Sequence, residues 1–253
     1  MTKDSGMPAR EDLGAPLTDY RRSHLERGTS YDATLDTNPF DAYMAKWEAH
    51  WLAQLVTRLH GEGIPRYLDF ACGTGRVTQI VAPLARESIG IDISSSMLEV
   101  ARAKCPGTRF IEVDLTRQSV DLGKFDVITS FRFFGNAQDA LRRDALTALA
   151  RLLRPGGHLI VNNHRNPLSG SALLQRLTGG SHGMDLTYFK FRRMLQEHDL
   201  ALVKAQPVGF WLYRSAMQSS SAILDSGAPK ERLFASRMYA PFAPDMILVA
   251  RKT

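Results

Sequence analysis

Apolar residues recur every four positions between Tyr43 and His60, with Trp47, Trp51, Leu55 and Leu59 on one side and Lys46, His50, Gln54 and Arg58 on the other. That period predicts a helix with one buried face, ended by Gly61, Gly63 and Pro65. Beyond it, short apolar runs alternate with helical patterns. Strands are predicted at 67–70, 89–93, 110–114, 125–131 and 158–161, and helices at 76–87, 95–104 and around 141–152. Pro155-Gly156-Gly157 makes the turn into the last of these strands. Strand alternating with helix at this spacing predicts an α/β fold, a parallel sheet with helices on both faces, and right-handed crossovers make it doubly wound. Helical stretches at 168–177 and 186–198 then precede apolar runs at 200–213 and 246–251. Residues 1–40 show no such period and mix Gly, Pro and Ser with charge; they are expected to form a mobile arm, leaving 41–253 as one domain.

Composition narrows the class. At 253 residues the chain fits a single domain. Its 44% hydrophobic and 23% charged residues exclude a disordered or fibrous protein. No apolar run approaches the ~18–20 residues of a membrane span, and the first residues offer no signal-peptide core. Two cysteines, Cys72 and Cys105, make neither a disulfide framework nor, alone, a zinc site. A reduced, cytoplasmic protein is expected. The net charge of +6 raises the question of a nucleic-acid partner. The basic residues are scattered, however, in pairs such as Arg21-Arg22, Arg142-Arg143 and Arg192-Arg193, and such pairs are expected to face water.

The sharpest chemical signal is Leu68-Asp69-Phe70-Ala71-Cys72-Gly73-Thr74-Gly75-Arg76, at the junction of a predicted strand and helix. Gly73 and Gly75 let the backbone turn tightly and lie against a ligand. Asp92 closes the second strand, 19 residues after Gly73, where a carboxylate suits ribose hydroxyls. A dinucleotide loop needs a third small residue, and Thr78 stands there instead. Asp69 would repel a pyrophosphate, whereas an ammonium or sulfonium would welcome it. No Gly-Lys-Ser/Thr of a phosphate loop follows either.

On these residues the chain resembles the class I S-adenosylmethionine-dependent methyltransferases, over about residues 43–165. LDFACGTGR resembles the family's first motif, and GIDIS with Asp92 the acidic end of its second strand. FIEVDL, KFDVITS and LLRPGG resemble the adenine-binding strand end, the fourth strand and the turn before the fifth. The resemblance implies a Rossmann-like seven-stranded sheet, mostly parallel with an antiparallel C-terminal strand, and S-adenosylmethionine as cofactor. It implies that Gly73 and Gly75 pack under the cofactor, with Asp69 and the Ala71 backbone near its methionine portion. Asp92 would hold the ribose diol, and Ile93 and Met97 would cover the adenine. Asp114 would accept from the adenine amino group, the Leu115 N–H would reach a ring nitrogen, and Phe131 would border the methionine end.

Other clusters carry less. Cys72 is expected to be a buried filler, and Trp47 and Trp51 core residues rather than a stacking platform. No His, Cys or carboxylate spacing offers a metal site. The segment after the fourth strand, Ser130-Phe131-Arg132-Phe133-Phe134-Gly135-Asn136, lacks the loops of DNA amino-methyltransferases, cytosine-carbon enzymes and protein-arginine methyltransferases. The resemblance therefore points to a small-molecule, sugar or lipid acceptor, methylated on oxygen or nitrogen, rather than nucleic acid; a nucleic-acid-directed enzyme and a silent cofactor-binding regulator stay as alternatives. SFRFFGNAQDAL is also loosely similar to quinone-ring C-methyltransferases. Catalytic candidates follow strands four and five: Arg132 to orient an acidic acceptor, and His164 as general base, because imidazole titrates near neutrality. The N-terminal segment, with Tyr20, Tyr31, Phe40 and Tyr43 ahead of the first strand, is expected to act as a lid over the acceptor pocket.

Overall fold

A computed structural model describes residues 39–61, 63–177, 184–209 and 231–253. Of the arm predicted over 1–40, residues 1–38 lie outside them, as does the end of the apolar run at 210–213. The last two residues of the predicted arm instead open the first helix, in which Tyr43, expected in the lid, is buried in the core.

The chain enters through α1 (Pro39–His60) and then builds β1 (Ile64–Phe70), α2 (Thr78–Val81), β2 (Ala85–Asp92), α3 (Ser95–Lys104) and β3 (Arg109–Glu112). There follow β4 (Phe125–Ser130), α4 (Asp139–Leu152), β5 (Leu153–Asn163), α5 (Gly170–Leu177), α6 (Tyr188–Gln196), β6 (Leu200–Val208) and β7 (Asp245–Lys252). The seven strands lie in the order β3-β2-β1-β4-β5-β7-β6. Neighbours from β3 to β5 are parallel, and β7 runs antiparallel to both β5 and β6. The order reverses between β1 and β4, and a crevice outside the carboxyl ends of the strands is expected there.

Alternation along the strands divides the core between the two faces. Tyr67, Val127, Ile160, Ile247 and Val249 meet Trp47, Trp51, Leu52 and Val56 of α1. Leu68, Ile128, Leu159, Leu248 and Ala250 meet Leu141, Ala145 and Leu149 of α4 and Phe191 and Leu195 of α6. Full burial of side chains of this size is worth about 1.5–3 kcal/mol each. Both tryptophans are core residues, as the four-residue period requires.

Four expectations need correction. Pro155-Gly156-Gly157, expected as the turn before the fifth strand, lies within β5, which already begins at Leu153. The helix predicted over 76–87 is only α2, followed by a 3-10 turn at Ala82–Leu84, and β2 starts at Ala85. Pro83 cannot donate to the helical ladder, and Ala85 to Ile91 pair with β1 instead. The third strand stops at Glu112, so Asp114 sits in the turn beyond it. Arg142 is not solvated but 2% exposed. It donates from Nε to Phe134 O at 2.8 Å, and to Asp139 Oδ1 at 2.6 Å and Asp185 Oδ1 at 2.8 Å. Burial opposes ionisation of Asp185, but the bonds from Arg142 and Lys190 outweigh it and hold its carboxyl down at about 2. The buried guanidinium thereby locks the loop after β4.

Candidate active site

A crevice open to solvent lies at the carboxyl ends of β1, β2 and β4, the place where α/β sheets bind ligands. Ten of the expected site residues line it: Asp69, Ala71, Gly73, Asp92, Ile93, Met97, Asp114, Leu115, Phe131 and Arg132. Gly75 lies just outside, at φ +80°, where a Cβ would come within 3.2 Å of Ala101 Cβ. It allows α3 to pack against the loop.

The three carboxylates of one wall are held by specific partners. Asp69, at the end of β1, accepts from Thr78 Oγ1 at 2.6 Å and from Thr129 Oγ1 at 2.8 Å. Tyr67 OH lies 2.6 Å from Thr129 Oγ1 behind them. Burial raises the Asp69 carboxyl to about 6, against these bonds and the Arg76 charge. Thr78, which occupies the place of a dinucleotide loop's third glycine, thus serves to hold this acid. Asp92 accepts from the Gly73 N–H at 2.9 Å and the Ser94 N–H at 3.0 Å, tying the glycine loop to the start of α3. Asp114 accepts from Thr116 N–H at 2.9 Å and Thr116 Oγ1 at 2.5 Å, which closes the turn after β3. Cys72 is buried beside Leu98, Ala101 and Phe110, with its thiol pushed well up by burial.

Ala71 (φ +54°) and Arg132 (φ +59°) are left-handed non-glycine residues at the ends of β1 and β4, the strands that flank the reversal. Such conformations cost on the order of 1–2 kcal/mol each and gather at functional sites. The Arg132 backbone is held by its N–H, which donates to Asn162 Oδ1 at 2.5 Å.

His164 does not line the crevice. It is buried, with Nε2 3.2 Å from Asn136 Oδ1 and Nδ1 packed against Gly135. Burial, and then the charges of Arg132, Arg165 and Arg76, push its imidazole well below the usual range. Asn163 donates to Leu186 O at 2.6 Å, away from the lining residues. Two further residues without an earlier role belong to the site. Arg76 lines the crevice, and Glu48 of α1 lies behind it. The sequence carried one signal for Glu48, a carboxylate inside the apolar stripe between Trp47 and Trp51. Among the described residues no three His, Cys, Asp or Glu converge on a metal position, and no helix is long and apolar enough to cross a membrane.

Residues 68–157 match a protein family described as a methyltransferase domain. The chain is 32% identical over 168 residues to a ubiquinone biosynthesis O-methyltransferase of Alkalilimnicola ehrlichii, covering 60% of this chain and 66% of that one. It is 35% identical over 112 residues to a ubiquinone/menaquinone biosynthesis C-methyltransferase of Stutzerimonas stutzeri, covering 40% and 43%. It thus spans less than two thirds of the length of these curated relatives. Among solved structures, the N-methyltransferase NodS of Bradyrhizobium japonicum superposes with a TM-score of 0.59 at 19% identity, covering 93% of this chain and 99% of that one. A magnesium protoporphyrin IX methyltransferase of Synechocystis with bound S-adenosylmethionine gives 0.62 at 14%, covering 95% and 100%. At these identities the structural likeness concerns the fold.

Proposed function

Because the chain belongs to the class I S-adenosylmethionine-dependent methyltransferases, we propose that it transfers the methyl group of S-adenosylmethionine to a small aromatic acceptor. The observation that carries this reading is the crevice at the β1/β4 reversal, with Asp69, Asp92 and Asp114 along one wall. This donor set fits the cofactor. Carboxylates and loop N–H groups suit an ammonium, a ribose diol and an adenine amino group. The helix after the glycine loop has four residues, too short for a strong dipole at a pyrophosphate.

When bound, the cofactor supplies a methyl carbon on cationic sulfur, which an acceptor nucleophile takes in line while the carbon–sulfur electron pair stays on sulfur. Asp92, oriented by two backbone N–H groups, accepts from the ribose hydroxyls. Asp114 and the Leu115 N–H read the adenine edge, with Ile93 and Met97 against its faces. Asp69, with Ala71, Gly73 and Gly75, surrounds the methionine portion, and Phe131 borders it. The chain contributes mainly proximity and alignment. Arg132 orients the acceptor. A base role for His164 lacks support from its position. The acceptor instead attacks as an already ionised oxygen, or as an activated ring carbon whose own hydrogen passes to water as a proton after the carbon–carbon bond has formed. Relatives named for ubiquinone and menaquinone methylation support a ring acceptor of this kind.

Calorimetry with S-adenosylhomocysteine and NAD tests the cofactor, with binding expected only for the former. A labelled-methyl transfer screen over extract fractions, with the product identified by mass, tests the reaction. Micromolar NAD binding without any response to adenosyl ligands would refute the reading.

A further inference from the structure

The loop after β4 depends on the backbone of one residue. β4 runs beside β5 as far as Ser130, which pairs with Val161. In an extended strand, residues two apart point to the same face. Phe131 and Phe133 instead divide between the two sides: Phe131 belongs to the core under α1, and Phe133 to the core under α4 and α6. Between them stands Arg132, left-handed at φ +59°. Both rings and Arg132 line the crevice, so this one backbone conformation shapes the crevice where β4 ends.

A residue with a Cβ stays in the left-handed region only where its surroundings hold it there. The Arg132 O accepts from Asn136 Nδ2 at 2.7 Å, and its Nη2 lies 3.8 Å from Glu48 Oε2. Its N–H, beyond the last ladder pair of β4, donates to Asn162 Oδ1 at 2.5 Å. Asn162 is fully buried, and the orientation of its amide follows from Glu48. Nδ2 donates to Glu48 Oε1, a carboxylate oxygen that only accepts, which leaves Oδ1 for the Arg132 N–H. Glu48, 1% exposed, is itself fixed by Arg76 Nη2 at 3.2 Å. The place therefore calls for an acceptor and a donor on the same Cγ. An aspartate would set a second carboxylate against Glu48, and an alanine would take one bond each from the Arg132 N–H and a Glu48 oxygen. Asn162 is not part of the crevice lining and acts through Arg132.

Resting on the methyl-transfer reading above, we propose that Asn162 is a positioning residue for the acceptor. By keeping Arg132 left-handed, it holds Phe131 and Phe133 where they align an acceptor with the methyl group, a step in which small displacements cost rate steeply. The test compares Asn162→Ala with the wild-type chain, using labelled S-adenosylmethionine at saturation and the extract fraction that the wild type methylates most. Turnover is expected to fall at least tenfold, while the dissociation constant for S-adenosylhomocysteine stays within threefold. In the chain loaded with S-adenosylhomocysteine, amide hydrogen exchange is expected to quicken at least tenfold over 131–136 and to stay within threefold across β1 and β2. Asn162→Ser, smaller but polar, gives the same comparison where Asn162→Ala fails to fold. Turnover within threefold of the wild type overturns the positioning role. So does a matching loss of S-adenosylhomocysteine affinity, or faster exchange across β1 and β2, either of which makes Asn162 a support of the whole crevice. A wild-type chain that methylates no fraction overturns the methyl-transfer reading itself, and the positioning role with it.

Discussion

On the β1–β3 wall of the crevice, the acids are held mostly by near neighbours in the chain. Asp92 accepts from Ser94 two residues on and from Gly73 nineteen back, Asp114 from Thr116, and Asp69 from Thr78 nine residues on. On the β4–β5 wall the partners are far apart. Glu48 is bonded by Asn162 across 114 positions, and Arg132 by Asn162 across 30. The first wall is built at strand ends, where each acid takes at least one bond from within nine residues, although Asp69 is also bonded by Thr129 sixty positions on. The second exists only once α1, β4 and β5 have packed. On the proposed reading, the wall assigned to the cofactor can be altered with more local consequences than the wall assigned to the acceptor, whose bonds join distant parts of the chain.

The largest test of that contrast is Glu48→Ala. It removes the carboxylate between two guanidiniums and strips Asn162 of its acceptor. Deleting one partner of a buried ion pair costs about 3–5 kcal/mol, and denaturant unfolding should show a loss of that size. A loss below about 1 kcal/mol would mean that the acceptor wall is not part of the fold's support. Asp92→Ala is the counterpart on the other wall. There the expected loss is about 1–3 kcal/mol of binding free energy for S-adenosylhomocysteine, measured by calorimetry. An unchanged dissociation constant would move the ribose elsewhere.

The same contrast explains what could be read from the sequence. The alternating pattern indicated the succession of strands and helices along the chain, and the glycine loop with Asp69 and Asp92 was visible because its chemistry is local. The helix over 76–87 was overextended because an apolar period cannot reveal that residues 85–91 pair with β1. Arg142 was assigned to the surface with its neighbour Arg143, since nothing adjacent announces Asp185 or the Phe134 carbonyl as partners. Glu48 and Arg76 went unassigned because their role depends on a meeting of α1 with the β1 loop and β5.

A smaller effect separates the walls by pH. Burial sets the Asp69 carboxyl at about 6, above its unfolded value of 3.8. In the free protein this group favours the folded state most below its unfolded value, and that contribution is lost as pH rises through about 6. Ligand binding has the opposite sign, because an ammonium or sulfonium beside Asp69 prefers the carboxylate. Affinity for S-adenosylmethionine should therefore fall about tenfold from pH 7 to pH 5, and in Asp69→Asn it should stay flat. A wild-type affinity that is constant over this range would place the cationic part of the ligand away from Asp69.

The smallest expected effect is at His164. Asn136 Nδ2 donates to Arg132 O at 2.7 Å, which fixes the amide and leaves Oδ1 as the atom facing His164 Nε2. That oxygen only accepts, so Nε2 carries the proton and Nδ1 is the bare nitrogen. Nδ1 is packed against Gly135 and has no hydrogen-bond partner among the described residues, and the ring is not part of the crevice lining. Burial and three arginines keep the imidazole neutral in the folded state. Its folded value thus lies below the unfolded 6.5, and the stability it contributes is present above pH 6.5 and declines as pH falls below it. Replacing His164 by Asn should lessen the acid sensitivity of unfolding between pH 6.5 and 5, while leaving the pH profile of methyl transfer between pH 6 and 8 unchanged in shape. A drop in turnover of ~10²-fold or more with loss of an acidic limb would restore the general-base role and bring His164 into the acceptor wall.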